Sequence, residues 1–307
     1  MSTNRNGSGL AATLQWLGIF FVTAFLAGCA GRSWLGADVL VLVSDTTPAY
    51  MRVADAVEER LPVTSRTMQL NGDSRHAEQK LRAHIGRENT VIAIGALALQ
   101  TARRVQENRR IVFCQVFNYE EPGLLAPGVY GVKAMPPLAK QFRAWKLLDP
   151  QLQRIALITG PGWRDLPNEA KMAATELGLH VVHRVVKSDK ELVYTVRNQL
   201  DGVHGMWLAP DHRILSKPAL RQVLAHAMRQ GTAVMVFNHQ LLDEGAVLSA
   251  ESDYAEVADR VVDLARAPVG ARPVPLTRAQ VKINGLVAAR LGLSAPPVFE
   301  RGGTHAF

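Results

Sequence analysis

The stretch D-V-L-V-L-V-S-D-T-T-P-A-Y, residues 38–50, decides the fold. After Asp38 comes a continuous run of aliphatic residues at 39–43, rich in β-branched valine. A short polar loop follows, and a helical pattern starts at Pro48. A strand that is apolar on both faces is typical of a parallel sheet covered by helices on both sides. The stretch therefore predicts the first β-α unit of an α/β fold.

The same alternation recurs along the chain in two successive series. The first series predicts strands at 38–44, 64–68, 91–94 and 111–116, with helices at 49–60, 74–86 and 96–107. The second predicts strands at 154–158, 180–186, 204–208 and 233–237, with helices at 136–148, 165–177, 190–200 and 216–230. Between the two series, the Pro- and Gly-rich residues 121–131 are expected to cross from one half to the other.

Further elements follow the second series, so the chain is expected to cross between the halves more than once. They are a strand-helix segment at 246–267, a strand at 281–283 and a helix at 286–291. We therefore assign 38–134 plus about 246–278 to lobe 1, and 135–245 plus about 279–307 to lobe 2. The predicted fold class is α/β, with two Rossmann-like lobes, each a parallel sheet flanked by helices, joined by a multi-strand hinge.

Residues 1–28 have the features of a bacterial lipoprotein signal peptide. A polar start precedes an apolar run at 10–26 that is short for a membrane span, and the small residues Ala27 and Gly28 lead into Cys29. Acylation of Cys29 would anchor the mature chain through residues 29–37 without spanning the bilayer. The alternative is an uncleaved helix with an incidental cysteine, and both interpretations place the body outside the cytoplasm.

Composition narrows the class of partner. The net charge of +8 favours phosphate-bearing surfaces, which for an exported protein are lipid headgroups and not nucleic acid. If Cys29 carries lipid, Cys114 has no disulfide partner, and its apolar surroundings in the sequence predict a buried, inert thiol.

The loops that follow the predicted strands form the candidate binding site. Doubly wound folds bind ligands at the carboxyl ends of their strands, where unpaired backbone N–H groups at helix starts can receive an anion. The candidates are Ser44, Asp45, Thr46, Thr47, Gly95, Ala96 and Asn118 in the first lobe, and Gly160, Pro161, Trp163, Asp211 and Asn238 in the second.

Each candidate also has a purely structural interpretation. Ser44 and Asp45 are good helix N-caps, and the two asparagines can satisfy turn backbone. Trp163 is either a lid over an apolar ligand or a packed aromatic. Asp211 suits a ligand ammonium group, or it caps the helix that follows.

Signatures of catalysis are missing from the sequence. It contains neither G-x-S-x-G nor H-E-x-x-H, and its nine histidines lack the spacing of metal ligands. Gly160-x-Gly162 occupies the place of a dinucleotide loop, but Asp165 stands where the third glycine belongs. We expect no enzyme activity, no cofactor and no metal.

Three stretches resemble the ABC transporter substrate-binding family of the tryptophan/tyrosine-binding type. They are residues 41–50, residues 91–100, and residues 283–284 together with 289–297. The resemblance implies the type I periplasmic binding protein fold, with a cleft lined by the loops matching Ser44 to Thr47, Gly95-Ala96, Asn118, Gly160-Pro161 and Asp211. Tyr50, the last residue of the first stretch, is a further candidate ligand-binding residue. Ala96 departs from the family's usual serine, and Asn118-Tyr119 departs from an Asn-Pro pair.

These features predict a lipid-anchored solute-binding protein that captures a small molecule between its lobes, with an amino acid as the candidate ligand and an ABC permease as the candidate partner. Ala30, in place of aspartate, indicates sorting to the outer membrane, while an inner-membrane location stays open. The alternative is an envelope lipoprotein that uses this fold as a ligand sensor or a protein-partner scaffold.

Overall fold

The computed structural model describes residues 39–306, apart from 63, 201, 268–269, 271, 295–296 and 298–304. The predicted signal peptide, the acylated Cys29 and the tether lie outside the described residues and stay predictions. Among the helices that are described, none is long and apolar enough to span a bilayer.

The first lobe is built on a five-stranded parallel sheet in the order β2-β1-β3-β4-β5. Its strands are β1 (Val39–Val43), β2 (Ser65–Gln69), β3 (Thr90–Ile94), β4 (Arg110–Cys114) and β5 (Val129–Gly131). Its connecting helices are α1 (Pro48–Glu58), α2 (Ala77–His84) and α3 (Ala96–Arg104). All of these were predicted except β5, a three-residue edge strand inside the segment expected to cross between lobes.

The second lobe is built on a seven-stranded sheet in the order β12-β11-β10-β9-β8-β6-β7. Its strands are β6 (Arg154–Thr159), β7 (His180–Val185), β8 (Gly205–Leu208), β9 (Ala233–Val236), β10 (Leu248–Glu251), β11 (Gln280–Ile283) and β12 (His305–Ala306). The helices are α4 (Leu138–Leu148), α5 (Leu166–Thr175), α6 (Asp189–Asn198), α7 (Lys217–Arg229), a 3₁₀ turn at His239–Leu242 and α9 (Gly285–Arg290). Strands β11 and β12 run antiparallel to their neighbours, and the others are parallel.

Both faces of the second sheet are covered, as the apolar strands predict. Alternate residues of β6 enter different cores: Ile155 and Leu157 join one buried cluster, whereas Ala156 and Ile158 join the other. Every residue of β1 is likewise fully buried in the first lobe. The helical layers therefore leave only the rims of these sheets for binding.

The chain returns to the first lobe after Glu251, later than the position near 246 that the sequence led us to expect. Strand β10 pairs with β9 and β11 and so belongs to the second sheet. Helix α8 (Tyr254–Arg266) then packs on α1 and on the strands of the first sheet. An apolar strand does not show which of two sheets it joins, so the boundary could not be read from the pattern.

Backbone contacts join the crossing segments to one another and to α8. Val132 forms a parallel bridge with Val274, and the N–H of Lys133 donates to the Val274 carbonyl at 2.8 Å. The carboxylate of Glu256 accepts from the N–H groups of Thr277 and Arg278 at 2.7 and 2.9 Å. The lobes are therefore connected through a multi-strand hinge whose segments are hydrogen-bonded to one another and to α8.

Candidate functional site

A cavity of about 200 Å³ lies where the carboxyl ends of the two sheets meet. Its walls include residues that follow β1 and β4 of the first lobe, and residues that follow β9 and end β10 of the second. The predicted candidates on its wall are Thr47, Tyr50 and Asn238. The two rims thus face a common space, which is where this fold places a ligand.

The start of α1 forms the first-lobe wall. Burial, followed by the negative charge of Asp45, raises the pKa of the Tyr50 phenol to about 12, so this group remains a neutral hydrogen-bond donor. Arg52, one half-turn further along α1, also lines the cavity and is exposed. Within the described part of the chain, no carboxylate forms an ion pair with Arg52, so its charge is available to a ligand.

Gly95 makes this wall possible. Its φ of +90° lies in the left-handed region, and an added Cβ would stand 2.5 Å from Ser44 Oγ and 2.9 Å from Tyr50 Cε2. Ser44 Oγ in turn accepts from the Ala98 N–H at 2.9 Å, so Ser44 caps α3 and not the helix that follows it. Gly95 and Ser44 therefore support the wall without lining the cavity.

The Glu251 carboxylate and its hydrogen-bond partners form the charged part of the second-lobe wall. Glu251 Oε1 accepts from His239 Nδ1 at 2.7 Å and from the His239 backbone N–H, and Glu251 Oε2 accepts from the Tyr254 hydroxyl at 3.3 Å. Burial and the charge of Glu251 raise the pKa of Tyr254 to about 12, against a smaller opposing effect of Arg52. These contacts fix the Glu251 carboxylate while leaving Oε2 with spare acceptor capacity.

Aromatic rings contribute much of the remaining wall. Phe117 of the first lobe and Phe237 of the second meet edge to face, with ring centroids 6.4 Å apart at 62°. Gln115 holds a φ of +55°, uncommon for a residue with a side chain, and its Nε2 donates to Ser252 Oγ at 3.0 Å. An apolar ligand body with polar ends would match this lining.

Asp211 lies apart from the cavity and is saturated by protein donors. One oxygen accepts from the Gly160 N–H and Trp163 Nε1, both at 2.9 Å, and both oxygens accept from Arg213. Burial opposes ionisation, but the hydrogen bonds from Arg213, Trp163 and Gly160 outweigh it and hold the pKa of Asp211 below its usual range. With a side chain only 1% exposed, Asp211 organises the loop after β6.

The other candidates also lie outside the cavity lining. Asn118 donates to Glu121 Oε1 at 2.6 Å, and its buried Oδ1 has no partner among the described residues. Trp163 lines a separate cavity of about 20 Å³ that shares Phe117 and Met135 with the larger one. Asp45 accepts from the Thr47 N–H at 2.7 Å. Thr46 and Pro161 are exposed to solvent. Ala96 packs against the hydrophobic core of the first lobe.

Asn238 combines its two predicted roles. Its Oδ1 accepts from the Gln240 N–H at 2.9 Å and so caps the 3₁₀ turn, while the residue also lines the cavity. Sequence reasoning missed Arg52, Gln115, Glu251, Ser252 and Tyr254, and of the loop that contains Phe117 and Asn118 it selected only Asn118. Glu251 and Ser252 could have been found, because they end and follow a predicted strand, as the inspected loops do.

No cluster of three His, Cys, Asp or Glu side chains suited to a metal ion occurs in the described ranges. Cys114 is fully buried, and desolvation raises the pKa of its thiol far above the ordinary value. This thiol is therefore unreactive, as the sequence predicts.

A family model described as ABC transporter substrate binding protein matches residues 56–267, which is more than half of the chain. The chain belongs to this family. ABC transporter substrate-binding proteins are binding proteins and not enzymes, and they are typically periplasmic. A comparison with curated protein sequences finds no match.

Solved structures support the two-lobed fold of this substrate-binding protein. An ABC domain from Streptococcus pneumonia in complex with L-Trp is 19% identical, covers 87% of this chain and 98% of its own, and has a TM-score of 0.64. A conserved domain protein from Vibrio cholerae is 18% identical over 85% and 96%, with a TM-score of 0.60. The ligand-free, open CD0873 from Clostridium difficile, a substrate-binding protein with adhesive properties, is 13% identical over 86% and 97%, with a TM-score of 0.65. At these identities the likeness concerns the fold, which is that of a type I periplasmic binding protein.

Proposed function

We infer that this substrate-binding protein captures an amino acid with a large apolar side chain in the cavity between its lobes, for delivery to an ABC permease. One observation carries the proposal: two opposite charges line the same aromatic cavity. They are Arg52, which forms no ion pair with the described residues, and Glu251, whose carboxylate is held by hydrogen bonds. A zwitterion with an apolar body complements such a wall, and the L-Trp bound to the Streptococcus relative supports that choice of ligand.

The two charges stand on different lobes. Arg52 is carried by α1, which packs on the first sheet, whereas Glu251 ends β10 of the second sheet. A ligand carboxylate on Arg52 and a ligand ammonium on Glu251 would therefore connect both lobes. Because only the closed arrangement offers both contacts, ligand binding would shift the population toward closure.

The aromatic lining favours a large side chain over a small one. Phe117, Phe237 and Tyr50 present ring surface to the cavity, and Met135 adds a flexible apolar contact. Burying an aromatic side chain there removes its apolar surface from water, which contributes about 2 kcal/mol of binding free energy. Glycine and alanine would lack that contribution and bind weakly.

A thermal-shift screen tests the proposal. L-tryptophan, L-phenylalanine and L-tyrosine should each raise the melting temperature with increasing concentration, because a ligand that binds the native state stabilises it by mass action. Glycine and a sugar panel serve as the matched comparison. If none of a broad amino-acid panel shifts the melting temperature, the protein is instead a sensor for another ligand or a scaffold for a protein partner.

The membrane anchor is part of the same proposal. We propose acylation at Cys29 and sorting by Ala30 to the outer membrane, on the sequence pattern alone. Labelled palmitate should enter the wild type and not Cys29→Ser, and Ala30→Asp should move the protein to the inner-membrane fraction. Labelling of Cys29→Ser would contradict the assigned acylation site.

A further inference from the structure

We propose that Glu120 is a latch that holds the lobes together from outside the ligand cavity and thereby sets ligand affinity. The proposal rests on the proposed closure around a ligand and adds an affinity-determining residue that makes no contact with that ligand. It is built on a direct contact between the lobes, and not on the cavity itself.

The contact joins a first-lobe carboxylate to second-lobe backbone. Glu120 follows β4, in the loop on the first-lobe rim. Its Oε2 accepts from the Arg164 N–H at 3.0 Å, and its Oε1 accepts from the Asp165 N–H at 3.1 Å. These two N–H groups precede the first residue of α5 in the second lobe, so both oxygens of one side chain reach across.

Helix α5 is left without a cap from its own residues. Asp165 occupies its N-cap position, but its side chain makes no capping hydrogen bond. By contrast, Ser188 caps α6 and Ser216 caps α7 in the usual way. Beside Asp165 and Glu169 of the second lobe, Glu120 adds a negative charge from the first lobe at the positive end of the α5 dipole, and it accepts backbone N–H groups that the Asp165 side chain does not.

Asp211 holds the receiving loop in position. By accepting from the Gly160 N–H and from Trp163 Nε1, it fixes both ends of the segment that leads into Arg164. Asp211 is thus a positioning residue for the latch. This gives a role to a buried acid that the ligand cavity does not use.

Opening would separate the Glu120 carboxylate from the N–H groups of Arg164 and Asp165 and break both hydrogen bonds. The contact is exposed, and a carboxylate that accepts from two N–H groups forms charge-assisted hydrogen bonds, which are stronger than neutral ones. The latch therefore favours closure before ligand arrives. Removing it should lower the closed fraction and weaken ligand affinity by roughly five- to tenfold, since apparent affinity scales with the competent population.

The test measures the distance between the lobes without any ligand. Spin labels at Arg104→Cys on α3 and Lys190→Cys on α6, both exposed helical sites, report the lobe separation in the full chain by pulsed electron resonance. Glu120→Ala and Glu120→Gln should shift the distribution toward longer distances. Glu59→Gln is the matched control, since Glu59 is exposed and stays within the first lobe.

Superimposable distributions for the wild type and both Glu120 variants would overturn the latch. Circular dichroism melts establish whether the variants are folded. If Glu120→Ala does not fold, the distance distribution of the isosteric Glu120→Gln decides the test. If the distance shifts while no amino acid binds, the latch stands and the proposed ligand class fails. If amino acids bind the wild type and Glu120→Gln with equal affinity, the latch does not set affinity.

Discussion

At the scale of single residues, the charged groups on the cavity wall give the sharpest prediction. Arg52→Gln and Glu251→Gln should each weaken binding of an aromatic amino acid about tenfold or more, because each removes one charge-assisted contact with the zwitterion. Isothermal titration measures the dissociation constants of both variants.

Two exposed residues away from the cavity serve as controls for these variants. Arg75→Gln and Glu244→Gln make the same changes of charge on the first and second lobes. They should leave the dissociation constant within a factor of two, since exposed charges at this distance are screened by salt. Equal weakening by control and cavity variants would assign the effect to net charge.

Asp211 carries the second residue-scale prediction, which concerns stability. Asp211→Ala should lower the free energy of unfolding by about 3 kcal/mol, because it leaves the buried Gly160 N–H and the partly buried donors of Trp163 and Arg213 without their acceptor. The exposed Asp263→Ala is the control and should change stability by less than about 0.5 kcal/mol. Urea denaturation at pH 7 measures both.

The same carboxylate makes stability depend on pH. The pKa of Asp211 is lower in the folded protein than its usual value near 4, so its contribution is fully present above about pH 5. It is lost as pH falls through the lowered pKa. The stability difference between the wild type and Asp211→Ala should therefore shrink in acid, and a constant difference down to pH 2 would contradict this role.

The roles of several candidate residues could not be predicted from the sequence. Loop position predicted Thr47 and Asn238, and both line the cavity, since the rim of a parallel sheet follows from strand order. Tyr50 also lines it, but this residue was a candidate from the stretch that resembles the family. Whether Asp211 faced a ligand or its own loop depended on Arg213 and Trp163, which can be judged only in three dimensions. The Glu120 contact spans 44 residues of sequence and has no local signal.

At the scale of elements, the glycine at the junction of β3 and α3 should not tolerate replacement by a residue with a side chain. Gly95→Ala should destabilise the protein by about 3 kcal/mol, because its φ disfavours a side chain and the new Cβ would collide with Ser44 and Tyr50. Gly72→Ala is the matched control: its φ is +71°, but nothing lies within 4 Å of the added Cβ. That variant should cost about 1 kcal/mol, so equal losses in thermal denaturation would exclude a packing role for Gly95.

The elements themselves were largely predictable, for a physical reason. Buried parallel strands must be apolar throughout, and the helices between them end at residues that adopt positive φ, such as Gly178 and Gly231. The sequence did not reveal β5, because a three-residue edge strand has too few residues to show a pattern. The sequence also led us to assign β10 to the first lobe, whereas it pairs in the second sheet. Which strands lie next to β10 depends on the tertiary fold.

At the scale of the whole molecule, binding and stability are coupled through both lobes. The cavity, the hinge and the Glu120 contact all lie between the two sheets, so a ligand that bridges them should stabilise the lobes as one unit. Hydrogen exchange with L-tryptophan should show added protection at the loops after β1, β4, β9 and β10. Protection confined to a single lobe would contradict a bridging ligand.

The most direct test of the account is an isothermal titration that dissects the ligand. L-tryptophan is compared with tryptamine, which lacks the carboxylate, and with indole-3-propionate, which lacks the amine. The account predicts binding of L-tryptophan and at least tenfold weaker binding of each analogue, because the cavity pairs Arg52 with Glu251 across the lobes. Equal affinity for all three compounds, or binding of none of the aromatic amino acids, would contradict it.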